Sequence, residues 1–238
     1  MRRIAIGLSL LIGLLLSGNL QAARLAIVID DLGYQSMPAA LSDLPPEVSI
    51  SILPDTPFDL ETADQAKQER RDTLLHMPMQ PLKPAPLELT TLTEAMSQAE
   101  LQQTLRHALS RVPNAIAMNN HMGSALTQNP KAMDWVMEVL DHQGINFLDS
   151  RTTAKSVALH QARQHGVPAL RRHVFLDHFR TREFVSQQLR LAIKRAKRNG
   201  FAIAIGHPYP ETLATLEEQI PALAEQDVQL VRISSLYR

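Results

Sequence analysis

Leu25-Ala26-Ile27-Val28-Ile29-Asp30-Asp31-Leu32-Gly33 runs without a polar residue to Ile29 and then sets two carboxylates side by side. A run that is apolar at every position, not at alternate ones, reads as a strand covered on both faces. Such strands belong to parallel sheets flanked by helices. Short apolar or β-branched runs recur at Val48–Leu53, Thr73–Met77, Ala115–Met118, Asn146–Leu148, His173–Leu176, Phe201–Ile205 and Gln229–Ile233. Between them lie stretches with helical periodicity, and that alternation predicts an α/β fold built from βα units on a largely parallel sheet.

The helices announce their own ends. Ser97-Gln98-Ala99-Glu100 is a capping box ahead of Leu101, Leu105 and Ala108. Asn129-Pro130 opens a helix through Trp135, Val136, Val139 and Leu140 that stops at Gly144. Thr181 opens another, with Val185, Leu189, Ile193 and Ala196 on one face and Gly200 past its end. Its basic residues Lys194, Arg195, Lys197 and Arg198 suit the negative end of the helix dipole and read as a solvated face, ahead of the alternative of an anion-binding patch. From Pro78 to Thr93, prolines at 78, 81, 84 and 86 forbid both a helix and a central strand. This segment is expected to be a long loop that shapes a substrate groove.

Met1-Arg2-Arg3, the apolar run Ile4 to Leu16 and the small-residue stop at Ala22-Ala23 have the three parts of a secretory signal peptide. The expected organisation is therefore a leader over residues 1–22 and a single domain over residues 23–238, periplasmic or secreted. No second apolar run is long enough to span a membrane. The chain has no cysteine, which excludes a disulfide framework and a thiolate metal site. Removing the leader takes Arg2 and Arg3 from 24 basic residues, leaving 22 against 24 acidic. That balance disfavours nucleic acid as a partner.

The polar residues of interest fall at the C-terminal ends of the expected strands, where βα barrels build their active sites. They are Asp30-Asp31, His76, Asn119-Asn120-His121, Asp149 with Arg151, and His207. Each has a plain structural reading: a helix cap for one Asp, a core imidazole for His76, a salt bridge for Asp149 and Arg151. Their convergence from separate strands is the stronger signal. Two adjacent carboxylates at an apolar strand end are costly to bury unless a metal or a shared proton compensates. Asp31, His76 and His121 would make a mixed oxygen and nitrogen site open to water, suited to zinc or another divalent first-row metal. His207 fits a general acid, a fourth ligand or a turn residue. His173, Asp177 and His178 form a second rank, and the histidines at 107, 142, 160 and 165 read as surface.

The set Ile29-Asp30-Asp31-Leu32-Gly33, Leu75-His76-Met77-Pro78-Met79, Asn119-Asn120-His121-Met122-Gly123-Ser124, Phe147-Leu148-Asp149-Ser150-Arg151-Thr152-Thr153 and Ile205-Gly206-His207-Pro208 resembles the divergent polysaccharide deacetylase family. The likeness covers essentially the whole mature chain. The family's distant relatives, the NodB-type carbohydrate esterases, remove acetyl groups from N-acetylated sugars on a distorted (β/α) barrel. The resemblance thus implies such a barrel, of about seven to eight strands, and a divalent metal, zinc first. It implies Asp30 as base, Asp31 as metal ligand and His207 as acid, with Asn119, Asn120, Asp149 and Arg151 orienting substrate or partners. Those relatives place two histidine ligands four residues apart on one segment. Here Ala125 stands four residues after His121, and His76 from a neighbouring strand is the expected substitute. Their Arg-x-Pro-Tyr element has no clear counterpart. The implied substrate is an envelope polysaccharide such as peptidoglycan. Two other functions fit the residues: a catalytically silent barrel that binds glycan or protein, and a metal-dependent esterase or amidase for a small molecule.

Overall fold

The computed structural model describes residues 22–237, so the expected leader lies outside the described residues except for Ala22. Nine strands follow in order: β1 Ala23–Leu32, β2 Ser49–Ile52, β3 Thr73–Met79, β4 Ala115–Met122, β5 Asn146–Asp149, β6 Ala169–Arg171, β7 Val174–Phe175, β8 Phe201–Gly206 and β9 Val228–Leu230. Helices α1 Ala39–Ser42, α2 Asp59–Gln68, α3 Gln98–Arg111, α4 Pro130–Gln143, α5 Ala158–Gln164, α6 Arg182–Asn199 and α7 Pro210–Gln219 are interleaved with them. The strands lie in the order β6-β5-β4-β3-β2-β1-β8-β7, all parallel, in a curled half-barrel, and β9 pairs with the start of β1.

Alternate residues of each strand face two cores. Leu25, Ile27 and Ile29 of β1 pack outward against the helical layer, together with Leu75 and Met77 of β3 and Phe147 of β5. Ala26, Val28, Leu74, Ala117, Leu148, Ile203 and Ile205 face inward and fill the concave interior. Ile233 and Leu236, in a 3-10 turn after β9, join that inner cluster. Each buried Val, Leu or Ile side chain among them contributes roughly 1.5–3 kcal/mol by leaving water.

The expected caps are present. Ser97 and Glu100 form the reciprocal capping box, Asn129 accepts from the Ala132 N–H, and Thr181 accepts from the Phe184 N–H. Gly144 and Gly200 end their helices in the left-handed conformation.

Three expectations at the element level are corrected. The loop expected from Pro78 begins two residues later, because β3 continues through Pro78 and Met79 beside His121 and Met122 of β4. The β2–β3 ladder has already ended at Ile52 and Leu75, so the missing proline N–H forfeits no bond to β2, and the Pro78 carbonyl accepts from Leu92 N–H at 2.9 Å. The strand expected over Gln229–Ile233 ends at Leu230, with Ile233 in the 3-10 turn. β6 was not expected at all.

Among the described residues no ladder joins β6 to β7. The chain itself crosses that seam on Arg172-His173. Arg172 N–H donates to Asp149 O of β5 and His173 N–H to Ile203 O of β8, each at 2.9 Å.

Candidate active site

Strand alternation delivers the site. On β1 the inward residues Ala26 and Val28 are followed by Asp30, and on β3 Leu74 is followed by His76. On β4 Ala117 is followed by Asn119 and His121, while Ile203 and Ile205 of β8 lead to His207. Each polar side chain is the next inward position of a strand whose lower positions fill the interior.

Asp31 breaks the alternation. The β1–β2 register slips by one residue between Ile29 and Leu32, and Asp31 takes φ 60°. A bulge of this kind re-aims a side chain, and here it brings the second carboxylate to the same mouth as the first. The ends of β4 and β5 are bent likewise, with Met122 at φ 51° and Arg151 at φ 52°. Asn120 Nδ2 and the Thr152 hydroxyl both donate to the Met122 carbonyl at 2.8 Å and hold that bend.

Asp31 Oδ1 lies 3.0 Å from His76 Nε2 and 2.9 Å from His121 Nδ1, and the two nitrogens are 3.2 Å apart. One donor atom from each of the three residues falls within 4.8 Å of the others. Asp31 Oδ1 is buried and makes no well-aligned hydrogen bond. One anionic oxygen and two imidazole nitrogens converging on a point fit a divalent cation.

The surroundings fix these donors. Asn119 Nδ2 faces both oxygens of Asp30 at 3.0 and 3.1 Å, so Asn119 Oδ1 accepts from His76 Nδ1 at 2.9 Å. That leaves His76 Nε2 directed at the centre, the arrangement by which a hydrogen-bonded imidazole is held as a ligand. Burial pulls the His76 pKa down, but Asp30, Asp31 and Asn119 outweigh it and lift the group to about 9. Burial also opposes ionisation of Asp31, yet His121 and His76 hold that carboxyl well below the usual carboxylate range. The centre is built for positive charge.

Asp30 is 3% exposed, and burial raises its pKa beyond what His76 and His207 take away. At the end of the adjacent strand β8, His207 Nδ1 lies 2.9 Å from Asp177 Oδ1, while His207 N–H and the Thr212 hydroxyl donate to Asp177 Oδ2 at 2.6 and 2.8 Å. Burial lowers the His207 pKa, but the bond and charge of Asp177, then Asp31 and Asp30, raise it overall. His207 Nε2 is 3.6 Å from Asp31 Oδ2. A cavity of about 300 Å³, bordered by Asp31, Gly33, Tyr34, His207 and Tyr209, opens beside the centre.

Other expected site residues are directed elsewhere. Asn120 is outward in strand parity, and its amide serves the Met122 carbonyl and the Ser150 N–H. Asp149, also outward, accepts from the Arg151 N–H at 2.7 Å, so it meets Arg151 through the main chain and not the guanidinium. His173 accepts the Ile203 N–H at the seam, and His178 is exposed against Phe179.

Three residues at the mouth carried no signal in the sequence. Glu88 comes from the Pro-rich loop, with Oε1 3.8 Å from His121 Nε2, and Tyr34 O–H donates to that oxygen at 3.2 Å. Arg172 donates to the Ser150 carbonyl at 2.7 Å, and its charge acts on Asp30. The inward alternation that marks Asp30 and His76 would not have found them, because all three sit on loops.

A family model described as divergent polysaccharide deacetylase matches residues 27–237. A Haemophilus influenzae protein, described as uncharacterized, is 43% identical over 91% of this chain and 77% of its own length. The Escherichia coli protein YibQ, also described as uncharacterized, is 40% identical over 94% of this chain and 70% of its own. An uncharacterized Agrobacterium tumefaciens protein of known structure superposes with a TM-score of 0.84 at 23% identity, covering 92% of this chain and 90% of that one. A family 4 carbohydrate esterase from Streptomyces lividans, solved with acetate, gives 0.52 at 10% identity over 87% and 90%. The catalytic domain of a peptidoglycan N-acetylglucosamine deacetylase from Eubacterium rectale gives 0.52 at 10% over 90% of both chains. These structural likenesses establish the fold.

Proposed function

Because this chain belongs to the divergent polysaccharide deacetylase family, we propose that it is a metal-dependent hydrolase that removes acetyl groups from N-acetylated envelope glycan of the peptidoglycan class. The observation that carries this reading is one mouth where Asp31, His76 and His121 meet beside buried Asp30 and Asp177-backed His207. Zinc, or another divalent ion held by that triad, would polarise the acetyl carbonyl and lower the pKa of the attacking water.

Asp30 is the general base and takes one proton from that water. Its raised pKa makes it a stronger base than a solvated carboxylate, and the two-pronged Asn119 contact keeps it aimed. The water oxygen joins the carbonyl carbon, the C–N bond breaks, and acetate leaves. His207, whose pKa Asp177 raises, supplies the proton that the departing amine requires. Tyr34 and Tyr209 border the cavity that would receive the sugar. We assign the protein to the periplasm or the exterior, with residues 1–22 as its leader.

Acetate release from N-acetylated peptidoglycan oligosaccharides by zinc-loaded protein tests the reading. Chelation is expected to abolish release, and Asp30→Asn to lower it about 100-fold or more. Release that persists undiminished in chelated protein contradicts it.

A further inference from the structure

Where the chain crosses the seam on Arg172-His173, a cavity of about 570 Å³ opens. Arg151, Arg171, Arg172, Arg195 and Arg198 surround it with His173, and no carboxylate lines it. Elsewhere, among the described residues, three arginines meet acids: Arg111 meets Asp59 at 2.7 Å, Arg71 meets Glu69 at 2.8 Å, and Arg182 meets Glu218. Among the described residues, none of the five at the seam forms an ion pair with a carboxylate.

Like charges brought together in this way repel unless an anion offsets them. The field is felt by His173, where burial, then Arg171 and Arg195, hold the pKa down to about 4. Part of the cluster is also fixed in place. Arg172 donates to the carbonyls of Ser150 and Arg151 at 2.7 and 3.1 Å and lies over the Phe175 ring, while Arg195 donates to the His173 carbonyl. Held guanidinium forks match the oxygens of carboxylate and phosphate.

A chain of hydrogen bonds links the cavity to the active site. Ser150, whose carbonyl takes the Arg172 bond, accepts with its hydroxyl from Asn119 Nδ2, the same amide that holds Asp30. We propose that the seam cavity is an anion subsite for a carboxylate or phosphate borne by the glycan beyond the reacting sugar, making an acidic glycan the preferred substrate. This rests on the deacetylase reading only in taking the ligand to be a glycan.

Calorimetry with two tetrasaccharides tests it. One alternates N-acetylglucosamine with N-acetylmuramic acid and carries carboxylates; the other is chitotetraose, with acetamides but no carboxylate. The parent is expected to bind the acidic one at least about tenfold more tightly. Arg171→Gln with Arg198→Gln, both at exposed positions, removes that preference, flattens its salt dependence and leaves chitotetraose binding unchanged. Equal affinities in the parent, or a preference that survives the double variant, overturn the proposal. So does tight binding of inorganic phosphate without discrimination between the saccharides. Acetate release, read on the same samples, reports separately on the chemistry: a selective but inactive protein leaves the subsite standing and sinks the reaction.

Discussion

Asp177 is the residue whose removal says most about His207. An acid catalyst works while protonated, so activity falls as pH rises through its pKa. Asp177 holds that pKa up, and Asp177→Asn therefore moves the alkaline limb of the pH–rate profile to lower pH, with kcat down roughly 10- to 100-fold. A lower rate with an unmoved limb would assign Asp177 to packing alone. Gly33 makes a second test. At φ 113°, a Cβ there would stand 2.2 Å from Thr56 Oγ1 and 3.1 Å from the Leu53 carbonyl. Gly33→Ala is expected to destabilise the fold by about 1–3 kcal/mol in chemical denaturation, through both strain and overlap. At this scale the sequence is readable by parity: Asp30, His76, Asn119, His121 and His207 are each an even step from an inward apolar residue, whereas Asn120 and Asp149 are odd and serve the backbone. Asp31 escapes that rule because a bulge, invisible in composition, turns it inward.

Among the elements, the long helices were legible because Ser97, Asn129 and Thr181 mark their starts and Gly144 and Gly200 mark ends. β6 was not, since three residues after Pro168 carry no period. Pro78 misled because its effect depends on whether a neighbouring strand needs its N–H, which is a tertiary fact. The seam yields a pH prediction. His173 Nδ1 accepts the Ile203 N–H at 3.0 Å, a bond that protonation of Nδ1 destroys. Its folded pKa of about 4 lies below the ordinary 6.5, so the unfolded chain takes up the proton first as pH falls. Stability from this group is full above pH 6.5, declines between 6.5 and 4, and is level below. The loss is on the order of 2 kcal/mol after allowing for partial solvent screening. Unfolding measured across that range in the parent and in His173→Asn checks it: the parent should lose more than the variant, and parallel curves would refute the assignment.

Over the whole molecule, the inner core of the half-barrel ends in the site residues, so the proposed metal ligands Asp31, His76 and His121 come from strands rather than from loops. A ligand that binds only the folded state stabilises it, by about 2.7 kcal/mol at a hundredfold excess over its Kd. Zinc is accordingly expected to raise the Tm of the metal-stripped protein by roughly 5–10 °C, an increment that should vanish in His121→Ala. The fold class was legible from apolar runs alternating with helical ones. The open seam was not, because nothing local in Arg171-Arg172-His173-Val174 states that the chain there passes from one sheet edge to the other. The placing of Glu88 over His121 was hidden in the same way, being set by the path of the loop after β3.

The central claim is that Asp31, His76 and His121 form one metal centre, and elemental analysis of the purified protein tests it directly. The parent is predicted to carry about one divalent ion per chain, zinc first, and a variant combining Asp31→Asn, His76→Ala and His121→Ala to carry none while remaining folded. A parent without metal after zinc has been supplied, or a folded variant that retains it, would contradict the account.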